Sequence, residues 1–267
     1  MTDLLQLDFF TNALMMSLFL SILFGVLSFF IVLRRMAFLG AGIAHTAFGG
    51  IALGLLLGVQ PFVTSLVFCV IAAIMIGQMA RSGRLSYDTG IGIFFSFSMA
   101  LGAVFIALRK AYTFDVSGYL FGNILGVTRT DLVLVLVALL LVTAFIWFFF
   151  QKLLFMTFEE SVASVSGFRP HRLEILLLVS LALVIVVSIK MVGIILVSAL
   201  VVLPGSFGLL FWNRYRGIIV ISILFTFFVM EGGLFLSYLL DLPAGATMVV
   251  LGTMLYLVSF IVRRRTA

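Results

Sequence analysis

Apolar runs long enough to cross a lipid bilayer follow one another along this chain with almost nothing between them. A spanning helix needs about 20 mostly apolar residues. Runs of that kind occupy 10–33, 37–58, 62–79, 90–108, 132–150, 173–189, 191–212, 217–240 and 244–262, about nine in all. Lys190 alone separates the 173–189 and 191–212 runs, and that is where the sequence places their boundary. Hydrophobic residues make up 64% of the 267 residues and charged ones 10%. A soluble domain carries about 45–50% and about 25% respectively. Lipid must therefore be the solvent for most of the surface. The expectation is an all-α integral membrane protein, a polytopic bundle of about eight or nine spans forming one transmembrane domain over 1–267.

The basic residues sit between the runs, and their sorting predicts an orientation. Arg34, Arg35, Arg81, Arg84, Lys152, Arg169, Arg172, Arg214, Arg216, Arg263, Arg264 and Arg265 fall on one side. Only Arg109, Lys110, Arg129 and Lys190 fall on the other. By the positive-inside rule the first group is cytoplasmic. That puts the amino terminus outside and the carboxyl terminus inside a cell (inner) membrane. The net charge of +6 is spread over these connectors and makes no nucleic-acid patch. The acidic start, Met1-Thr2-Asp3-Leu4, reads as leading into a retained first span and not as a signal peptide. Cys69, the only cysteine, lies in an apolar run and reads as a small buried hydrophobe.

Two connectors stand out. Residues 109–131 carry Asp115, Asn123 and several glycines, which suggests a short or re-entrant element on the outer side. Residues 151–172 carry Glu159, Glu160, Gly167 and Pro170; this inner loop reads either as a docking element for a partner or as a solvated linker. Gly50, Gly54 and Gly58 recur every four residues on the second run. Small residues at that interval let helices approach closely in lipid, within one subunit or across a dimer.

Ionisable side chains deep in a membrane are costly and mark pathways. His45 lies about ten residues past Arg35 and Glu231 about fifteen past Arg216; at 1.5 Å per residue both fall near mid-depth. Imidazole and carboxylate are plausible ligands for a divalent transition metal. Packing of a hydrogen-bonded histidine and a protonated glutamate is the competing reading. Asp241 ends the eighth run, where it either gathers cations at a pore mouth or caps the helix beginning near Pro243. Asp88 and Glu174 read as ordinary interfacial charges. No phosphate-binding glycine loop, His-Glu-x-x-His string or nucleophile elbow occurs, so the chain is not expected to hydrolyse ATP itself or to be an enzyme.

Four strings, in order, carry a family resemblance: Arg35-Met36-Ala37-Phe38-Leu39-Gly40-Ala41-Gly42-Ile43-Ala44-His45; Leu120-Phe121-Gly122-Asn123-Ile124-Leu125; Val192 through Leu200 with Pro204; and Ser237 through Gly245. In these the chain resembles the permease subunits of ATP-binding-cassette importers for zinc, manganese or iron. The resemblance implies the vitamin-B12-importer-like permease fold and a homodimer. It also implies cytoplasmic ATPase subunits, an extracytoplasmic metal-binding protein and no intrinsic cofactor, with the metal ion as cargo. His45 matches the family's metal-path histidine. Glu159, Glu160, Ala163 and Gly167 are similar to the loop that docks the ATPase. One departure is visible: Ala41 stands where many members carry an aspartate one turn before the histidine. Glu231 is taken as the carboxylate that replaces it. A secondary cation transporter and a permease for a metal chelate are the alternative functions.

Overall fold

A computed structural model describes residues 8–82, 85–109, 118, 122–158 and 170–266. Among these the regular structure is helical throughout. The helices are α1 (Asp8–Leu33), α2 (Phe38–Leu57), α3 (Pro61–Arg81), α4 (Tyr87–Leu108), α5 (Arg129–Phe158), α6 (Pro170–Phe211), α7 (Tyr215–Leu240) and α8 (Ala244–Thr266), with a 3₁₀ turn at Ile124–Gly126. All eight are long and apolar enough to cross a membrane. The chain is a multi-pass helical membrane protein.

The count of about nine runs meets eight helices because α6 joins two of them. Its 42 residues would reach about 63 Å if straight, roughly twice the hydrocarbon thickness. The helix breaks at Gly193, whose backbone is non-helical (φ 79°, ψ 161°), and each half is about long enough to cross. The sequence put the boundary at Lys190, the lone charge; the backbone turns three residues later, where a glycine permits the left-handed φ.

The helices gather into two compact units. One comprises Met1–Arg35, Val116–Leu141 and Ser188–Ala267; the other comprises Met36–Asp115 and Val142–Val187. In the second, α2 lies between α3 and α4. Ile43 accepts from Cys69 Sγ at 3.5 Å, while Gly50 faces Ser65 and Gly54 faces Pro61, so α3 runs antiparallel to α2. Gly42 meets Ile91 and Gly49 meets Ser98, so α4 runs parallel to it. The first half of α6 is also well buried in this unit, with Leu177, Leu178, Leu181 and Ile185 fully enclosed, and Leu178 packs on Gly77 of α3.

In the first unit α1 is central, with Met16, Leu20, Leu23, Phe24 and Leu27 essentially inaccessible. It pairs with α7: Ser17 meets Glu231 and, further along α1, Gly25 meets Ile223, an antiparallel register. Ser28 Oγ accepts from the amide of Gly205 at 2.7 Å, and Ser222 Oγ lies 2.9 Å from the Pro204 carbonyl. These hydroxyls meet backbone groups near Pro204, the imino acid within α6.

Candidate functional site

His45 sits on α2 between two groups of glycines, Gly40 and Gly42 before it and Gly49 and Gly50 after it. Its ring is half-buried, with Nδ1 2.8 Å from the carbonyl of Ala41, one turn back. A carbonyl only accepts, so Nδ1 is the donor of this bond, and in the neutral ring the lone pair is left on Nε2. That is the arrangement in which ligating histidines are usually held, one nitrogen donating to a backbone oxygen and the other free for the cation. The missing aspartate at position 41 thus leaves a contact behind, because Ala41 still orients the imidazole through its main chain. Phe95 of α4 lies against the ring, centroids 4.7 Å apart at 52°. Ser98, on the same side of α4, is fully buried, and its hydroxyl has no hydrogen-bond partner among the described residues.

Glu231 belongs to the other unit. It is half-buried on α7, and Oε1 accepts from Ser17 Oγ of α1. The Ser17 hydroxyl also lies 2.8 Å from the Leu14 carbonyl, so its single proton is shared between two acceptors or serves one of them. Among the described residues no three His, Cys, Asp or Glu side chains gather as a metal-binding cluster. Each residue is a single polar contact inside its own unit.

Asp241 behaves differently from the helix-cap expectation. It ends α7 in the left-handed conformation (φ 52°, ψ 45°), its amide bonding back to Ser237. Its side chain is exposed and makes no hydrogen bond among the described residues, so the turn into α8 is held elsewhere. The Ser237 hydroxyl donates to the Leu242 carbonyl at 2.5 Å, and Thr247 Oγ1 bonds the Pro243 carbonyl at 3.0 Å. Aspartate tolerates the left-handed region better than most residues, which accounts for it here without a capping role.

The three spaced glycines do two different jobs. A side chain on Gly50 would meet Ser65 Cα of α3 at 2.5 Å, and one on Gly54 would meet Pro61 Cα at 2.8 Å. Gly58 closes α2 in the left-handed conformation (φ 68°), with open space where a Cβ would stand. The inner-loop residues Glu159, Glu160, Ala163 and Gly167, and Asp115 of the outer connector, lie outside the described residues.

Two clusters escaped sequence reasoning. Thr128 and Asp131 cap α5 reciprocally: the Thr128 amide and hydroxyl donate to Asp131 Oδ2 at 3.1 and 2.8 Å, and the Asp131 amide reaches Thr128 Oγ1 at 3.3 Å. Lys190 Nζ holds the other carboxylate oxygen at 2.8 Å. Beside them Gly122 (φ 70°) presses on the backbone of Met191, Val192 and Gly193 so closely that no Cβ fits. Two of the family-like strings therefore touch. The second cluster corrects the reading of Glu174 as an interfacial charge. It is buried, 6% exposed, with Oε1 accepting from Tyr87 Oη at 2.5 Å and Oε2 3.9 Å from His171 Nδ1. A Thr-x-x-Asp string is a local capping signal; the Lys190 and Tyr87 partners are distant in sequence and gave none.

A multi-pass helical bundle that carries a histidine and a glutamate inside two of its spans has the anatomy of a membrane transport protein. Residues 6–263 match the ABC 3 transport family, and the chain belongs to it. It is 33% identical to the manganese transport system membrane protein MntC of Listeria monocytogenes, over 97% of this chain and 92% of that one. It is 30% identical to the high-affinity zinc uptake system membrane protein ZnuB of Haemophilus influenzae, over 95% and 97%. Among solved structures it resembles PsaBC from Streptococcus pneumoniae in complex with Fab, with a TM-score of 0.85, 34% identity, and 97% and 94% of the two chains covered. A metal-chelate type ABC transporter in an inward-facing conformation shares the fold at 16% identity and a TM-score of 0.68, over 94% and 85%.

Proposed function

We propose that this chain is the permease subunit of an ATP-driven importer that moves manganese, zinc or iron(II) ions through the membrane by alternating access. The observation that carries this reading is the His45 imidazole, pinned through Nδ1 and offering Nε2 within a membrane-length helix. The names of two full-length relatives, one in manganese transport and one in zinc uptake, support the cargo class. Histidine and carboxylate donors suit all three metals and rank none of them.

His45 and Glu231 serve as ion contacts, each in its own unit, and the exposed Asp241 carboxylate gathers cations at the outer mouth. Sparse ligation suits transport, since an ion held by few groups leaves readily. Energy comes from a pair of cytoplasmic ATPase subunits that dock on 151–172, with Glu159, Glu160, Ala163 and Gly167 in the contact. An extracytoplasmic metal-binding protein delivers the ion, and two copies of this chain form the translocator. The family membership supports the ATPase and the binding protein. The homodimer follows the resemblance in the sequence, and the basic-residue asymmetry supports a cytoplasmic carboxyl terminus.

Reconstitution of the chain with its ATPase and binding protein in proteoliposomes tests the reading. Manganese, zinc and iron(II) are offered separately, and uptake and ATP hydrolysis are scored together. At least one ion enters in an ATP-dependent manner, and His45→Ala lowers its uptake more than tenfold, about 1.4 kcal/mol or more of lost stabilisation. Unchanged uptake by both His45→Ala and Glu231→Gln removes these residues from the route.

A further inference from the structure

The pair of part-buried Tyr87 and buried Glu174 is part of no ion contact, yet it stands at an informative place in the chain. Pro170 opens α6 directly after the 159–169 segment, and Glu174 lies one turn into that helix. Tyr87 is the first residue of α4, whose start is fixed by Ser86: its Oγ accepts from the Thr89 amide at 3.2 Å. The two helix starts are thus tied by one hydrogen bond of 2.5 Å inside a single unit.

From Tyr87 one face of α4 runs through Ile91, Phe95, Ser98 and Gly102, at steps of four, four, three and four residues. That face lies along α2. Ile91 fills the space beside Gly42, Phe95 contacts the His45 ring, the Ser98 carbonyl is where a Cβ on Gly49 would meet it at 2.8 Å, and Phe48 closes over Gly102. Glycine-mediated contacts this close leave no slack, and packed interiors pass displacement on instead of absorbing it. One end of α4 is held by the Glu174 carboxylate, and its middle rests on the imidazole.

We propose that Glu174 and Tyr87 are positioning residues that transmit ATPase-driven movement of the α6 start through α4 to the imidazole of His45. The inference rests on the importer reading and adds to it the route by which hydrolysis is felt at the ion contact. A carboxylate with a phenol for a partner suits this role. The bond is directional, so a shift of the α6 start pulls on the α4 start, whereas an apolar contact would slide.

The test uses the assembled complex in proteoliposomes, with manganese and zinc ions as probes, reading ions moved per ATP hydrolysed. Tyr87→Phe keeps the ring and loses the bond. It is expected to keep ATP hydrolysis and lower ions per ATP by about fivefold or more, the scale of a coupling contact. Glu174→Gln keeps an acceptor for Tyr87 and retains most of the wild-type ratio; Glu174→Leu does not. Tyr87→Phe combined with Glu174→Leu falls no further than either alone, because both remove one link. Wild-type stoichiometry in Tyr87→Phe overturns the inference, as does a lowered melting temperature with an unchanged ratio, which would mark a structural role. A wild-type complex that hydrolyses ATP but moves neither ion overturns the importer reading and this inference with it.

Discussion

The two units solve the problem of holding helices together in lipid by different means. Around α2 the solution is absence of side chain: Gly42, Gly49, Gly50 and Gly54 bring α3 and α4 close enough for backbone to touch backbone or the first atoms of a side chain. Along α1 the solution includes hydroxyls, with Ser17, Ser21 and Ser28 fully buried and Ser17 and Ser28 bonded to other helices; glycine approaches are fewer there, Gly25 against Ile223 and Gly205 against Ser28. Lipid tails are as apolar as leucine, so neither seam gains from a hydrophobic drive, and each must gain from packing or hydrogen bonds. The α2 seam is consequently sensitive to volume and the α1 seam to polarity. The imidazole sits on the first kind of seam and the carboxylate on the second.

Gly50→Val gives the largest effect expected of that contrast. The new side chain starts 2.5 Å from a main-chain atom of α3 that has nowhere to go, at a cost of about 3 kcal/mol or more. Monodisperse yield in detergent and the melting temperature measure it; near-normal values would show that the α2 seam can open. Ser17→Ala comes next. It removes a donor from Glu231 without adding volume and is expected to cost about 1–2 kcal/mol in thermal unfolding. Ser17→Ala with Glu231→Leu should cost less than the sum of the two single changes, since no polar atom is then left unpaired. Additive losses would mean that the pair does not hold the α1 seam.

Two smaller changes sharpen the contrast. Gly92 lies on α4 with open space around its missing Cβ, so Gly92→Ala should raise stability by roughly 0.5–1 kcal/mol, the usual gain inside a helix. A loss there would extend the volume-sensitive seam to a face the structure leaves open. Lys190→Met breaks the 2.8 Å pair with Asp131, but the lysine side chain is 65% exposed. The cost should therefore stay within about 1 kcal/mol and shrink as salt is raised. Melting curves at low and high salt decide it.

How much of this was legible beforehand follows from the range of each interaction. Helix positions were readable because a bilayer demands a fixed apolar length, and most ends moved by only a few residues, as where 62–79 became Pro61–Arg81; the 132–150 run lengthened further, to Arg129–Phe158. That His45 and Glu231 fall inside α2 and α7 followed from counting residues along one helix. The Lys190 boundary was misplaced because charge marks where a chain prefers water, while a backbone break needs a residue that accepts φ 79°. Glu174 was misread because its partner lies 87 residues away, and nothing local distinguishes a buried carboxylate from an exposed one.

The sequence by itself determined that the chain lives in lipid, where its helices run, and which rare polar groups they carry into the membrane. Those properties depend on transfer free energy summed along a segment, which composition records directly. Tertiary structure alone decided which nitrogen of His45 faces the Ala41 carbonyl, that Ser17 meets Glu231, and that Tyr87 ties two helix starts together. Each of these is a matter of tenths of an ångström between residues far apart in the chain, and only the packed helices bring them within reach.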